Sequence, residues 1–167
     1  MLSKINALIA SIGLNRQALR EREHLLDWQV DDPLHLRDAA EALGQAQDDF
    51  TQRLDAHLAS FPEAVQQLKT VANTDSLQLK QAWDNQQLWQ NIHNDDYIRQ
   101  QLQVGLEYQS ADLTPLWYLS TQRLYLDTML KALCSEPRQI QQFSSLIKAV
   151  FLDISLVLEG YCAAHKQ

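Results

Sequence analysis

The segment Gln103–Leu119, QVGLEYQSADLTPLWYL, decides how this chain is read. Gly105 lies three residues before Tyr108 in a run with helical spacing. Ile98, Leu102, Gly105 and Tyr108 share one face, with Val104 beside them. Polar residues then interrupt the run. Thr114-Pro115 opens a second helix headed by Trp117 and Tyr118, because proline at a first helical position forfeits no intrahelical hydrogen bond. The unit is two helices joined by a tight polar corner, with a tyrosine on the apolar face just before it.

Working outward, helical spacing continues in both directions. Upstream, helices are predicted over roughly 3–11 and 14–28, and a third starts at Asp32-Pro33, read as a cap followed by proline. Gly44 marks its end or a bend. A helix through Phe50, Leu54 and Leu58 runs into SFPE (60–63), where Ser60 and Pro62 start a short helix carrying Val65 and Leu68. Another, capped by Thr74 or Asp75, carries Leu79, Trp83 and Leu88. The helix of Tyr108 is capped at Asn94 or Asp95. Downstream, the Pro115 helix runs to about Cys134, and Ser135-Glu136-Pro137 opens the last and longest, to about Ala164. β-branched runs with period-two alternation do not occur. The fold class is therefore all-α, with about eight helices of unequal length, which suits globin-like packing at steep angles better than an up-down bundle. Residues 1–30 are expected to form an N-terminal helical extension, and 31–167 a globin-like domain packed with it as one unit.

Composition narrows the function. The 167 residues, 46% hydrophobic and 21% charged, suit one domain with a core that needs no staples. A net charge of -7 and no basic stripe argue against a nucleic-acid partner. No apolar run approaches the roughly 20 residues that span a bilayer. The apolar N-terminal positions Leu2, Ile5, Leu8, Ile9 and Ile12 form a helical face rather than a signal peptide. The two cysteines, Cys134 and Cys162, form no CxxC motif, and the simplest setting is a reducing cytoplasm.

Catalytic signatures are missing. No Gly-rich phosphate loop, HExxH or GxSxG occurs. Of His24, His35, His57, His93 and His165, none pairs with another at the spacing two ligands on one helix face require. His24 and His35 lie among charged residues and are expected in solvent; His57 and His93 read as structural or exposed. Asp pairs occur at 31–32, 48–49 and 95–96, and two of them read as helix starts, where carboxylates suit the dipole, rather than as catalytic groups. Trp83, Trp89, Trp117 and Tyr118 read as core packing rather than a ligand stack. No acid–base or nucleophile constellation supports an enzyme.

The order of motifs nevertheless resembles a family. LREREHLLDWQVDDPLHLRDAAEAL (19–43), LDAHLASFPE (54–63), NDDYIRQQLQVGLEYQSADLTPLWYLSTQ (94–122) and KAVFLDISLVLEGY (148–161) resemble, in turn, the leading helices, the end of the B helix, the strongest signature and the final helix of the globin domain of globin-coupled sensors, the protoglobin-like group. The resemblance spans roughly residues 14–164. In that family the signature contains Gly-x-x-His, whose histidine is the proximal haem ligand, followed by a Pro-Trp-Tyr entry into the next helix. Setting Gly105 on the family glycine puts Tyr108 on the ligand, and the nine-residue step to the tryptophan is kept by Tyr108 and Trp117. The distal side departs too. The family often carries Phe-Tyr eight and seven residues before the proline of SFPE; here those positions are Leu54 and Asp55.

Those departures bear on chemistry. A neutral imidazole binds ferrous iron without losing a proton. A phenol, with a pKa near 10, ligates as phenolate and favours ferric iron. The resemblance thus implies a regulatory module of a bacterial-type signalling protein, such as a diguanylate cyclase or chemoreceptor, with no haem as the expected state. A vestigial pocket would be lined by Tyr108, Gly105, Leu54, Asp55, Trp83 and Trp117. Haem held by Tyr108, His57 or His93 is the alternative, and a ligand-free helical adaptor is a third reading. The last two helices carry more apolar surface than one stripe, so a homodimer through Leu126, Leu130, Ile147, Phe151, Ile154 and Leu158 is expected. An effector domain or partner is expected after the C-terminus.

Overall fold

Local capping sets most helix ends. The computed structural model describes residues 2–63, 65–66, 94–133 and 137–164. Its helices are α1 (Leu2–Ser11), α2 (Arg16–Leu25), α3 (Asp32–Gln45), α4 (Gln47–Ala59), α5 (Asp95–Ser110), α6 (Pro115–Leu133) and α7 (Pro137–Ala164). No strand occurs among the described residues, and the fold is all-α. Asn15 caps α2 by accepting from the backbone N–H groups of Gln17 and Ala18, and Asn94 caps α5 by accepting from that of Asp96. The ends of α1, α2 and α5 share one chain reversal. Gly13, Asp27 and Asp112 have φ of 65°, 56° and 55°. In each case the next residue donates five positions back: Leu14 to Ile9, Trp28 to Glu23, Leu113 to Tyr108. Aspartate tolerates this left-handed backbone because its short polar side chain bonds locally.

Two sequence expectations need correction, and a third holds. The second helix stops at Leu25, short of residue 28, because Asp27 turns the chain. Asp32 is not the cap of α3: Asp31 takes that place, and Asp32 and Pro33 lie in the first turn. Gly44 marks the end of α3, as expected, to within one residue. It sits in the last turn, where the Ala46 N–H still reaches the Ala42 carbonyl, and Ala46 alone joins α3 to α4. A helical glycine costs only about 1 kcal/mol, which surrounding packing easily outweighs. Residues 62–63 and 65–66 are helical, as Pro62 suggests. The expected helix bearing Leu79, Trp83 and Leu88 lies outside the described residues, as do His93, Trp89 and Cys134.

The last helix organises the rest. α7 packs against α5, α3 and α6, while α4 crosses α6 and α1 rests on α5. Leu102, Met129, Leu133, Leu146 and Leu156 are fully buried between these elements. The ring of Phe50 on α4 meets that of Tyr125 on α6 edge to face, with centroids 5.2 Å apart. Where α5 meets α7 the backbones nearly touch. A Cβ on Gly105 would lie 2.6 Å from the Tyr161 nitrogen and closer still to the Val157 carbonyl oxygen. One on Gly160 would lie 2.9 Å from the Leu102 carbonyl carbon. Only two glycines allow this approach. No helix among the described residues is long and apolar enough to cross a membrane.

Candidate functional site: Tyr108 and the buried carboxylate of Asp153

Tyr108 is placed by the corner it precedes. Its carbonyl accepts the Leu113 N–H that closes α5, and the chain then turns into α6. This folds Tyr118 back onto it: the two rings meet edge to face at 5.9 Å and 84°. Tyr108 is buried, and burial, reinforced by the Glu107 carboxylate, raises its pKa well above the ordinary phenol value. The hydroxyl is therefore protonated at any physiological pH.

Beyond Tyr118 lies a feature that motif reading missed. Asp153 on α7 is buried. Its Oδ1 accepts from the Tyr97 hydroxyl of α5 at 2.5 Å. Its Oδ2 accepts from the Tyr118 hydroxyl and from the Gln122 amide of α6 at 2.9 Å. Gln122 also donates to the Tyr118 oxygen at 2.6 Å. Burial raises the Asp153 pKa to about 6, and the hydrogen bonds from Tyr118, Tyr97 and Gln122 restrain that rise. Tyr97 and Tyr118 are in turn held as phenols by burial and by this carboxylate. The sequence carried one clue: Asp153 is the only acid between Glu136 and Glu159, in the midst of an apolar helix.

The other site residues scatter. Gly105 lies on the same α5 face as Tyr108, but what it meets is the α7 backbone. Leu54 is buried, whereas Asp55 one residue on is exposed. Trp117 is half-buried, with its ring edge-on to Phe61 at 4.9 Å. Phe61 in turn meets the His57 ring at 5.3 Å. His57 is half-buried, and its Nε2 is buried with no hydrogen-bond partner. Trp83 lies outside the described residues. His24 is exposed, as expected, but His35 is not: it is half-buried, with Nδ1 3.1 Å from the Ser145 hydroxyl. Its place follows from Asp32, whose buried carboxylate accepts from Ser145 at 2.5 Å, Lys148 at 3.0 Å and the Gln29 N–H at 2.5 Å, pinning α3 to α7. Burial opposes the Asp32 charge, but these donors and the Lys148 charge outweigh it and lower its pKa.

The protoglobin family model matches residues 15–167. The chain belongs to the protoglobin family. No curated relative and no solved structure matches it. The protoglobin match includes α2, which an ion pair from Arg22 to Glu159 ties to α7. Protoglobins usually bind haem, so the residues that the motif comparison sets at the ligand positions can be tested for fit. Tyr108, compared with the proximal ligand, is a phenol that burial and Glu107 keep protonated, packed edge-on against Tyr118. Of the two residues compared with the distal pair, the Leu54 side chain offers no hydrogen bond and Asp55 is exposed. As they stand, these side chains offer iron no neutral imidazole and no ionised phenolate. Among the described residues no three His, Cys, Asp or Glu side chains group as a metal site.

Proposed function

We propose that this chain is a regulatory globin domain of a bacterial-type signalling protein, working without haem and passing its signal through α6 and α7. The observation that carries the reading is Tyr108. With Gly105 set on the family glycine, Tyr108 takes the ligand's place in the motif, and it is a buried phenol that packs into the core against Tyr118. Such a chain keeps the helical relay of a sensor without its iron. A signal must then come from whatever favours one arrangement of the last helices over another. The output is a diguanylate cyclase, chemoreceptor or similar effector in the cytoplasm, or a partner protein, and the domain itself is not an enzyme.

The test is haemin titration of the native protein, Tyr108→Phe and Tyr108→His, read by the Soret band. The reading expects no stoichiometric complex in the native protein or in Tyr108→Phe, and weak binding at most in Tyr108→His, because restoring a ligand does not restore space. A tight native complex lost in Tyr108→Phe would establish tyrosinate ligation and overturn the haem-free reading. A second reading, haem held by His57, is favoured by the buried Nε2 with no hydrogen-bond partner. It predicts a native Soret complex that survives Tyr108→Phe and disappears in His57→Ala.

The domain acts as a dimer through the outer faces of α6 and α7. Leu116, Leu130, Ile140 and Phe151 are exposed there, with Leu126, Ile147, Ile154 and Leu158 half-buried beside them. Val150 and Val157, by contrast, turn into the core. A helix pair with apolar residues on both its inner and outer faces suits a four-helix interface between two copies.

A further inference from the structure

A carboxylate as deeply buried as Asp153 is ordinarily matched by a cation. Here its partners are neutral donors from two other helices: Tyr97 of α5, and Tyr118 and Gln122 of α6. Tyr125 of α6 also feels its charge, since Asp153 disfavours ionisation of that phenol. The charged groups on neighbouring elements are engaged elsewhere. On α3, Asp32 pairs with Lys148 of α7 and His35 meets Ser145. Arg22 of α2 pairs with Glu159. On α5, Arg99 binds Asp96 and Asn6 of α1, and Glu107 accepts from Gln103. Among the described residues, no cation faces Asp153.

We propose that Asp153 is a proton-operated clamp in the core: taking up a proton tightens α5 and α6 onto α7, and losing it loosens that joint. Ionised, the carboxylate is acceptor-only and satisfied by three donors, but its charge is cut off from water. Neutral, it carries no such penalty. Any opening that lifts α5 away from α7 lets water reach the group, where its ordinary value of 3.8 returns, against about 6 when closed. Opening is therefore linked to proton loss. Its equilibrium constant rises tenfold per pH unit across that gap and levels off above about 6, a total of about a hundredfold. The joint also contains the Gly105–Gly160 approach, where no side chain cushions a shift of one helix against the other. The clamp depends neither on haem nor on an output domain, so it stands or falls separately from the signalling reading.

Hydrogen exchange of backbone amides in the full chain, from pH 4 to 8 and corrected for intrinsic rates, tests it. The amides of Ile98–Glu107 in α5 are expected to open tenfold more per pH unit up to about pH 6 and then level off. Asp153→Asn, which keeps shape and one acceptor, is expected to give a flat profile. Tyr118→Phe removes one donor to the ionised form and is expected to carry the rise to higher pH. Amides of α4, which supplies none of the hydrogen bonds to Asp153, are the control. Flat α5 profiles in the native protein would overturn the clamp, and so would an unchanged profile in Asp153→Asn. A rise of equal size in α4 would also overturn it, because opening would then be global. If Asp153→Asn does not fold, the native α5 profile and the Tyr118→Phe displacement decide the matter by themselves.

Discussion

At Asp153 the sign of the pH effect is the reverse of that expected for an ion-paired carboxylate. Its folded value of about 6 lies above the ordinary 3.8, so the folded chain holds this proton more tightly than the unfolded chain. The stability it contributes is complete below about pH 3.8 and is lost as pH rises through about 6, a difference of about 3 kcal/mol at 1.36 kcal/mol per unit. Asp32 runs the other way. Its lowered value means stability that is present above 3.8 and lost only as pH falls further. Urea unfolding of native protein and Asp153→Asn at pH 4, 5, 6 and 7 separates the two effects, because the Asp32 contribution cancels in the difference. The variant is expected to gain on the native protein by about 2.4 kcal/mol between pH 4 and 7, the part of the full difference that falls in that window. A constant difference would show that Asp153 does not titrate in this window. The position was legible as an acid inside an apolar stripe. That it accepts from Tyr97, 56 residues away, was not, because nothing local in the sequence couples the two. His35 illustrates the same limit: charged neighbours in sequence suggested solvent, and a serine 110 residues away decided otherwise.

Between elements, the glycines divide by what surrounds them. Gly44 has nothing within 4 Å of a Cβ position, and it is helical. Gly44→Ala is expected to raise stability by about 0.5–1 kcal/mol, the helix-propensity gain. Gly105 has the same propensity to gain, but its Cβ would enter the backbone of α7. Backbone cannot rotate aside as a flexible side chain can, so Gly105→Ala is expected to lose more than about 3 kcal/mol, beyond the usual range for overpacking. Thermal unfolding of both variants tests the pair, and equal effects would refute the close crossing of α5 and α7. The corner between α5 and α6 was readable from Thr114-Pro115 and the polar break before it. Its mechanism, a left-handed Asp112 closing a bond from Leu113 to the Tyr108 carbonyl, needed backbone geometry.

At the scale of the whole molecule, α6 and α7 leave large apolar side chains on their outer faces. Phe151 is 49% exposed and Ile140 61%, large values for such side chains on an otherwise buried helix pair. Light scattering is expected to give twice the chain mass of 19.2 kDa at micromolar concentration. The double variant Leu130→Glu/Phe151→Glu is expected to return the single-chain mass with unchanged helix content, because four carboxylates cannot share one desolvated interface. A native mass of 19.2 kDa would refute the dimer.

The sequence by itself determined the helical class, most helix starts and the family. These rest on short-range signals: apolar spacing near 3.6, prolines and capping side chains at helix starts, and an ordered series of local motifs. The nine-residue step from Tyr108 to Trp117, on which the comparison of Tyr108 with the family's ligand rests, is likewise a property of chain order alone. Only the tertiary structure decided what surrounds that tyrosine and what lies behind it. Tyr118 against Tyr108, Asp153 between α5 and α6, and Gly105 against Gly160 each join segments separated by many residues or by a full chain reversal. Burial gives the Asp153 carboxylate its proton affinity, and burial is set by the packing of three helices around it rather than by its neighbours in the chain.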